Sequence, residues 1–204
     1  MRCEIISWRR FQALCRRLAY QVRAAGFSPD LIVAIARGGY MPARLLSDYL
    51  GLMDLASFRI EHYRAAHKQP VTRVTEPLSV DTTGRRVLLV DDVSDTGDTF
   101  QVALDHLRSQ GDPTVIKTVV MHHKITSAYV PDFYAAKVVK WRWLIYPWAL
   151  MEDLTGMIGE MGGRAATPDD LVLRLQRDHG MRVSRQGVED ALAFMDHAGE
   201  VRPS

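Results

Sequence analysis

The sequence predicts an α/β domain built on a mostly parallel, twisted sheet flanked by helices. Three observations carry that expectation. Short continuous apolar runs, "LIVAIA" at 31–36, "RVLLV" at 86–90 and "TVIKTVVM" at 114–121, have the form of strands covered on both faces. Segments of helical periodicity alternate with them, as parallel strands joined by crossover helices require. The two stretches that break this texture, "ARGG" and "DDVSDTGDT", fall at carboxyl ends of such strands, where open parallel sheets bind ligands.

The elements follow in order. Ser7 is placed to cap a helix whose apolar positions Trp8, Phe11, Leu14, Cys15, Leu18 and Val22 keep helical spacing, and Gly26 is placed to end it. After the strand at 31–36 and the break "RGG", the stretch "YMPARLLSDYLG" resumes helical periodicity up to Gly51. A strand is expected at 54–60, then a long polar stretch at 61–85, the strand at 86–90, a helix across 98–110 and the strand at 114–121. Beyond "WRWLIYPW" the texture changes to helical patterns without an obvious strand core. Thr167 before Pro168 has the form of an N-cap with proline at the first helical position. The domain expectation is a main domain over 1–152 and a helical extension over 153–204. The extension is either a small winged-helix-like unit or a tail packed on the main domain. Two short helices offer little core of their own, which favours the tail.

Composition narrows the function classes. The 204 residues carry 26 basic and 24 acidic side chains, a net charge of +2, so no overall basic field argues for nucleic acid. Apolar residues at 47% and charged residues at 25% suit a soluble globular protein. Cys3 and Cys15 are too few for a disulfide framework and fit a reducing interior. No run approaches transmembrane length and the N-terminus lacks a signal-like apolar core, so a cytoplasmic protein without a membrane partner is expected.

The stretch "VLLVDDVSDTGDTF", 87–100, runs a buried strand into four carboxylates and three hydroxyl residues. Adjacent side chains on an extended chain point to opposite faces, so one of Asp91 and Asp92 can reach a ligand while the other braces the loop or binds a metal through water. Gly97 permits a tight turn, and Asp98–Thr99 open a helix whose free amides suit a phosphate. Ser94, Thr96 and Thr99 add hydroxyl donors. Such an arrangement accommodates a phosphate monoester together with the vicinal hydroxyls of a ribose, and Asp95 lies between them. A hydrophobic strand ending in "DD" also occurs in Walker-type nucleotide hydrolases, but the G-x-x-x-x-G-K-[ST] loop they need is absent from the sequence.

The run "VLLVDDVSDTGDT" resembles the phosphoribosyl-pyrophosphate (PRPP) motif of type I phosphoribosyltransferases. The resemblance implies that Asp91 and Asp92 take the ribose hydroxyls and a Mg²⁺ ion shared with PRPP. Residues Asp95, Thr96, Gly97, Asp98 and Thr99 would wrap the 5′-phosphate, and Asp95 matches the carboxylate that handles a proton at purine N7. "IVAIARGGYMPARLLSDYLG" resembles the pyrophosphate loop of the same family, with the Arg37–Gly38 peptide and Gly39 facing the diphosphate. The polar stretch at 61–85 is similar to the mobile catalytic hood, in which Arg64, Lys68 and Arg73 would close over pyrophosphate and exclude water.

For the acceptor, the resemblance points to the xanthine–guanine and hypoxanthine branch. Lys124 in "MHHK" matches a lysine at the purine 6-oxo group, Trp143 matches the ring that stacks on the base, and the backbone at Leu144 and Ile145 would read the base edge. An ammonium at O6 selects 6-oxopurines over adenine, whose 6-amino group only donates there. Trp141 and Trp148 are assigned to packing. One departure stands out: the xanthine–guanine enzymes carry an acidic residue directly after "PW", whereas Ala149 stands here, with Glu152 and Asp153 three and four residues on. The resemblance covers about residues 1–152. It implies a Mg²⁺-dependent transfer of the phosphoribosyl group from PRPP to N9 of a 6-oxopurine, by a homo-oligomer, dimer or tetramer. The alternatives are a PRPP-sensing regulator that binds nucleic acid without transfer, and a phosphoribosyltransferase for another heterocycle.

Overall fold

The computed structural model describes residues 1–63, 71–163 and 166–200. In chain order the elements are β1 (Cys3–Ile5), α1 (Trp8–Ala24), β2 (Leu31–Ala36), α2 (Tyr40–Leu50), β3 (Leu55–Tyr63), β4 (Val71–Glu76), β5 (Arg86–Ser94), α3 (Asp98–Ser109), β6 (Val115–Lys124) and β7 (Phe133–Val138). They continue with β8 (Trp143–Ile145), α4 (Leu150–Glu160), α5 (Pro168–Arg174), a π-helical turn at Leu175–His179 and α6 (Arg185–Glu200). The chain divides into two compact units, one of Gln12–Trp141 and one of Met1–Phe11 with Arg142–Ser204.

The unit of Gln12–Trp141 holds a six-stranded sheet in the order β4-β3-β2-β5-β6-β7. All neighbouring pairs are parallel except β3–β4. All six residues of β2 are buried, as the unbroken apolar run requires. One sheet face, with Val33, Ile35, Val87 and Leu89, packs against Phe100, Ala103 and Leu107 of α3. The order of strands reverses between β2 and β5: β3 and β4 lie to one side, β6 and β7 to the other. Ligand crevices of open parallel sheets form beyond the carboxyl ends at such a switch point. Here the residues at those ends are Arg37–Gly39 and Asp91–Asp95.

Both ends of α1 follow the sequence signals. Ser7 Oγ accepts from Arg10 N at 3.2 Å. At the other end Gly26 takes φ 68°, a conformation costly for a side chain-bearing residue. That lets Phe27 N reach Val22 O and Gly26 N reach Arg23 O, a Schellman closure. Two expectations need correction. The stretch 61–85 is not all loop: β3 runs on to Tyr63, and β4 pairs with it antiparallel, with Arg73 opposite Glu61. The β-branched residues of "VTRVTE" favour an extended edge strand even though four of its six side chains are polar. The strand expected at 86–90 continues to Ser94, carrying Asp91 and Asp92 inside the ladder opposite β6.

The unit of Met1–Phe11 with Arg142–Ser204 contains the short parallel pair β1–β8. Its core joins Ile145 of β8 to Leu154, Met157 and Ile158 of α4, to Leu171 and Leu175, and to Met181, Val188 and Ala191. Thr167 caps α5, its Oγ1 accepting from Asp170 N at 3.2 Å with Pro168 at the first helical position. Among the described residues no helix is long and apolar enough to cross a membrane.

Candidate active site

Three neighbouring strands of the Gln12–Trp141 unit end side by side. β5 and β6 pair through Ser94↔His123, so the next residues in line are Asp95 and Lys124. β6 and β7 pair through Lys124↔Val138, which brings the chain after β7 to the same end. The result is a cluster of three side chains. Lys124 Nζ donates to Asp95 Oδ2 at 2.6 Å, Trp141 Nε1 donates to Asp95 Oδ1 at 3.4 Å, and Lys124 Nζ stands 4.6 Å from the centre of the Trp141 ring. Lys124 is only 3% exposed, whereas the Asp95 side chain keeps 36% of its surface open. A buried ammonium demands compensating partners. Here a carboxylate and an aromatic face are among them.

At the switch point β2 leads through a cis Ala36–Arg37 peptide into Gly38 and Gly39, and α2 begins at Tyr40. A Cβ on Gly38 would lie 2.7 Å from Asp92 Oδ2, so the loop backbone rests against that carboxylate. A Cβ on Gly39 would lie 2.4 Å from Val90 O and 2.6 Å from Ile35 O, so the chain passes this point only without a side chain. The structure thus brings together the two stretches that the sequence singled out separately. Asp91 is buried and accepts from Asp92 N at 2.9 Å. Burial, followed by the charge of Asp92, pushes its carboxyl well above the usual range.

Past the strand, Gly97 adopts φ 101° and begins α3. A Cβ there would meet Tyr129 N at 2.7 Å, because the turn at 126–129 packs directly against the loop. That turn is a brace that sequence reasoning missed. Ala128 N donates to Thr96 O at 2.8 Å, and Ser94 Oγ shares a 2.7 Å hydrogen bond with Ser127 Oγ and donates to Tyr129 O at 3.2 Å. Ser94 is therefore buried and directed at the brace, while Thr96 Oγ1 donates to Asp98 Oδ2 at 3.0 Å at the exposed rim. The run "ITSAY" places the short hydroxyl residues Thr126 and Ser127 in a turn, and that is the local signal for this role.

Arg73 lies on β4. Arg64 and Lys68 lie outside the described residues. Trp143, Leu144 and Ile145 form β8 of the other unit. There Trp143 Nε1 donates to Asp153 Oδ1 at 2.8 Å. Burial, with Glu152 adding to it, pushes the Asp153 carboxyl up against the pull of that N–H. In the β1–β8 ladder Trp143 N donates to Arg2 O and Ile145 O accepts from Ile6 N. Alternation along a parallel strand then turns the amide and carbonyl of Leu144 to the opposite edge. Trp148 is a packing residue, stacked on Tyr146 at 4.9 Å and edge-on to Phe11 at 4.8 Å. The packing assignment fails for Trp141, which is 45% exposed and meets Asp95 and Lys124.

Among the described residues no group of three or more His, Cys, Asp or Glu side chains is placed to hold a metal ion. The Asp91–Asp92 pair nevertheless fits Mg²⁺, which is typically bound through one or two carboxylates plus the phosphates of a substrate.

Comparison with known proteins agrees with this arrangement. Residues 3–151 match the phosphoribosyl transferase domain. The chain is 29% identical to the hypoxanthine-guanine phosphoribosyltransferase of Saccharomyces cerevisiae, over 81% of this chain and 95% of the relative. It is 31% identical to the bifunctional protein PyrR of Limosilactobacillus reuteri, over 58% of this chain and 73% of the relative. Among solved structures, a purine phosphoribosyltransferase from Pyrococcus horikoshii OT3 superposes with a TM-score of 0.65 at 31% identity, over 72% of this chain and 94% of that one. The mostly parallel sheet flanked by helices is the type I phosphoribosyltransferase architecture. With most of its length, residues 3–151, covered by the domain match, the chain belongs to the phosphoribosyl transferase domain family.

Proposed function

We propose that this protein transfers the 5-phosphoribosyl group of PRPP to N9 of a 6-oxopurine, releasing pyrophosphate, in purine salvage. The observation that carries the reading is the Asp95–Lys124 pair at 2.6 Å. An ammonium and a carboxylate side by side present a donor and an acceptor to one edge of a base. That edge matches O6 and N7–H of a 6-oxopurine. Adenine would set its 6-amino group against the ammonium.

In the reaction, the N9 lone pair forms the bond to the anomeric carbon as the bond to pyrophosphate breaks, and Asp95 takes the proton leaving N7. Arg37 and the amide of Gly38 meet the diphosphate, while Gly39 N donates to Ile35 O at 2.8 Å and fixes the turn; the turn Asp95–Thr99 holds the 5′-phosphate at the start of α3. Asp91 and Asp92 are the residues that would hold Mg²⁺. When bound, the ion neutralises charge on the leaving group.

Pyrophosphate release from PRPP and Mg²⁺ is the direct test, run with hypoxanthine, guanine, xanthine, adenine and orotate. Turnover with at least one 6-oxopurine and none with adenine is the expected result. Turnover with orotate alone would move the protein to another acceptor class. Silence with every base would end the transferase reading. The regulator alternative needs a basic surface on the C-terminal helices. At the start of α6, however, Arg185 is already engaged by Asp169 at 3.0 Å and Glu189 at 2.8 Å. A duplex titration with and without PRPP tests it, and binding that appears only with PRPP would favour regulation.

A further inference from the structure

We propose that Trp141 is a positioning residue for the proton-handling pair, holding Asp95 through its indole N–H and Lys124 through its ring face. The inference rests on the reading above, in which Asp95 receives the base's proton and Lys124 meets O6. Each carboxylate oxygen of Asp95 has its own donor: Lys124 Nζ on Oδ2 at 2.6 Å and Trp141 Nε1 on Oδ1 at 3.4 Å. The third side of the triangle closes at 4.6 Å, ammonium over indole. No pair in the triangle is independent of the third member.

Two features separate this from ordinary packing. Trp141 keeps 45% of its surface exposed, so burial does not explain its place. Lys124 is 3% exposed and its ammonium is held from two sides, which spreads its interaction between a charge and a π face. Without the indole, Lys124 loses one of the groups that hold its ammonium and closes on Asp95, while the carboxylate loses the donor that fixes its plane. A carboxylate clamped by an ammonium and free to turn accepts a proton from N7 less readily. The effect falls on the chemical step, because Trp141 meets the side chains of Asp95 and Lys124, the two groups read as meeting the base.

The test compares wild type with Trp141→Leu, which removes ring and donor, and Trp141→Phe, which keeps a π face but no N–H. Expected are a fall in kcat on the order of ten- to a hundredfold for Trp141→Leu, a smaller fall for Trp141→Phe, and a KM for PRPP within about twofold of wild type in both. A kcat of Trp141→Leu within twofold of wild type overturns the proposal. So does a rise in the KM for the base alone, which would make Trp141 a base-binding ring. A second measurement is independent of turnover. In ¹H–¹⁵N spectra the indole N–H resonance missing from Trp141→Phe identifies Trp141, and Asp95→Asn is expected to shift it. An unmoved resonance overturns the geometry. If the wild-type protein turns over no base, the transferase reading fails by itself, and the indole resonance still reports whether the triangle exists.

Discussion

Gly38 and Gly39 are neighbours in one loop, yet replacing each with alanine should have opposite consequences. At Gly39 the new Cβ would stand 2.4 Å from Val90 O, 2.6 Å from Ile35 O and 2.9 Å from Ile35 N. These are backbone atoms of β2 and β5, and Val90 is paired to both Ala34 and Val119, so they have nowhere to go. Overpacking of this kind costs ~1–3 kcal/mol, and the rigid ladder puts this site at the upper end. The lost freedom of the unfolded chain returns ~0.4–1 kcal/mol, because the Gly39 backbone is already helical. The net is about 2 kcal/mol, and at about 2–4 °C per kcal/mol for a chain of this size Tm falls by about 4–8 °C. At Gly38 the atoms in the way, at 2.7–2.9 Å, belong to the Asp92 carboxylate, a side chain that can swing aside. Gly38→Ala should therefore leave Tm within about 2 °C of wild type. It should raise the KM for PRPP at least about tenfold, because it displaces a carboxylate proposed to hold Mg²⁺ and the ribose. Differential scanning calorimetry with PRPP-dependent kinetics on both variants decides the matter. A Gly39→Ala protein that melts like wild type, or a Gly38→Ala protein that loses Tm while keeping its PRPP affinity, would refute the reasoning.

Asp95→Asn keeps the shape of the side chain but not its basicity, so kcat should drop ~10²–10⁴-fold while the KM for PRPP stays near wild type in steady-state assays; an equal loss in both would remove Asp95 from the chemistry. Asp91 is buried with its carboxyl raised by burial and by Asp92, so in the window above pH 3.8 the native state binds more protons than the unfolded chain and ionisation there works against folding. Asp91→Asn preserves the acceptor for Asp92 N and removes the charge. Without Mg²⁺ it should gain ~1 kcal/mol, or about 2–4 °C in Tm, and lose the stabilisation that Mg²⁺–PRPP confers on wild type. Leu78 N donates to His106 Nε2 at 2.9 Å, which requires that nitrogen unprotonated, and burial lowers the His106 pKa from 6.5. The unfolded chain therefore takes the proton first as pH falls. The His106 contribution is whole above about pH 6.5 and is lost progressively below it. His123, also lowered by burial and by Lys137, acts in the same direction, so the readout is the difference in Tm between pH 7.5 and 5.5 for wild type and His106→Gln. A smaller acid loss in the variant is expected, and an unchanged one would exonerate His106.

What could be read from the sequence depended on whether an element is specified by its own residues or by its partners. β2, all six residues of it buried, is readable because a strand covered on both faces has no polar position to confuse with a loop. α1 is readable too, because its cap and closing glycine sit at the ends of a clear apolar stripe. β4 is different. Its polar side chains look like a loop, and only the antiparallel partner β3 makes "VTRVTE" a strand. β1 and β8 are three residues each and meet across about the whole length of the family domain, with Cys3 opposite Trp143. No window along the chain contains that pairing.

The site divides along the same line. Asp91–Thr99 is one contiguous stretch from the end of β5 to the start of α3, so its chemistry was visible as a cluster in sequence. The Asp95–Lys124–Trp141 triangle is assembled by register instead: Ser94 opposite His123 on one side and Lys124 opposite Val138 on the other. Slipping β6 by one residue against its neighbours would turn Lys124 to the far face of the sheet. A tryptophan following "VVK" carries no local sign of which strand end it will reach, and bulk alone argues for packing. Its exposure and its polar N–H only acquire meaning once the carboxyl ends of β5, β6 and β7 are aligned. The contiguous stretch supplies the groups proposed to bind phosphate and sugar, while strand register supplies the side chains proposed to meet the base and its proton. Two chains sharing the acidic loop can thus differ in acceptor through changes at the ends of β6 and β7 alone.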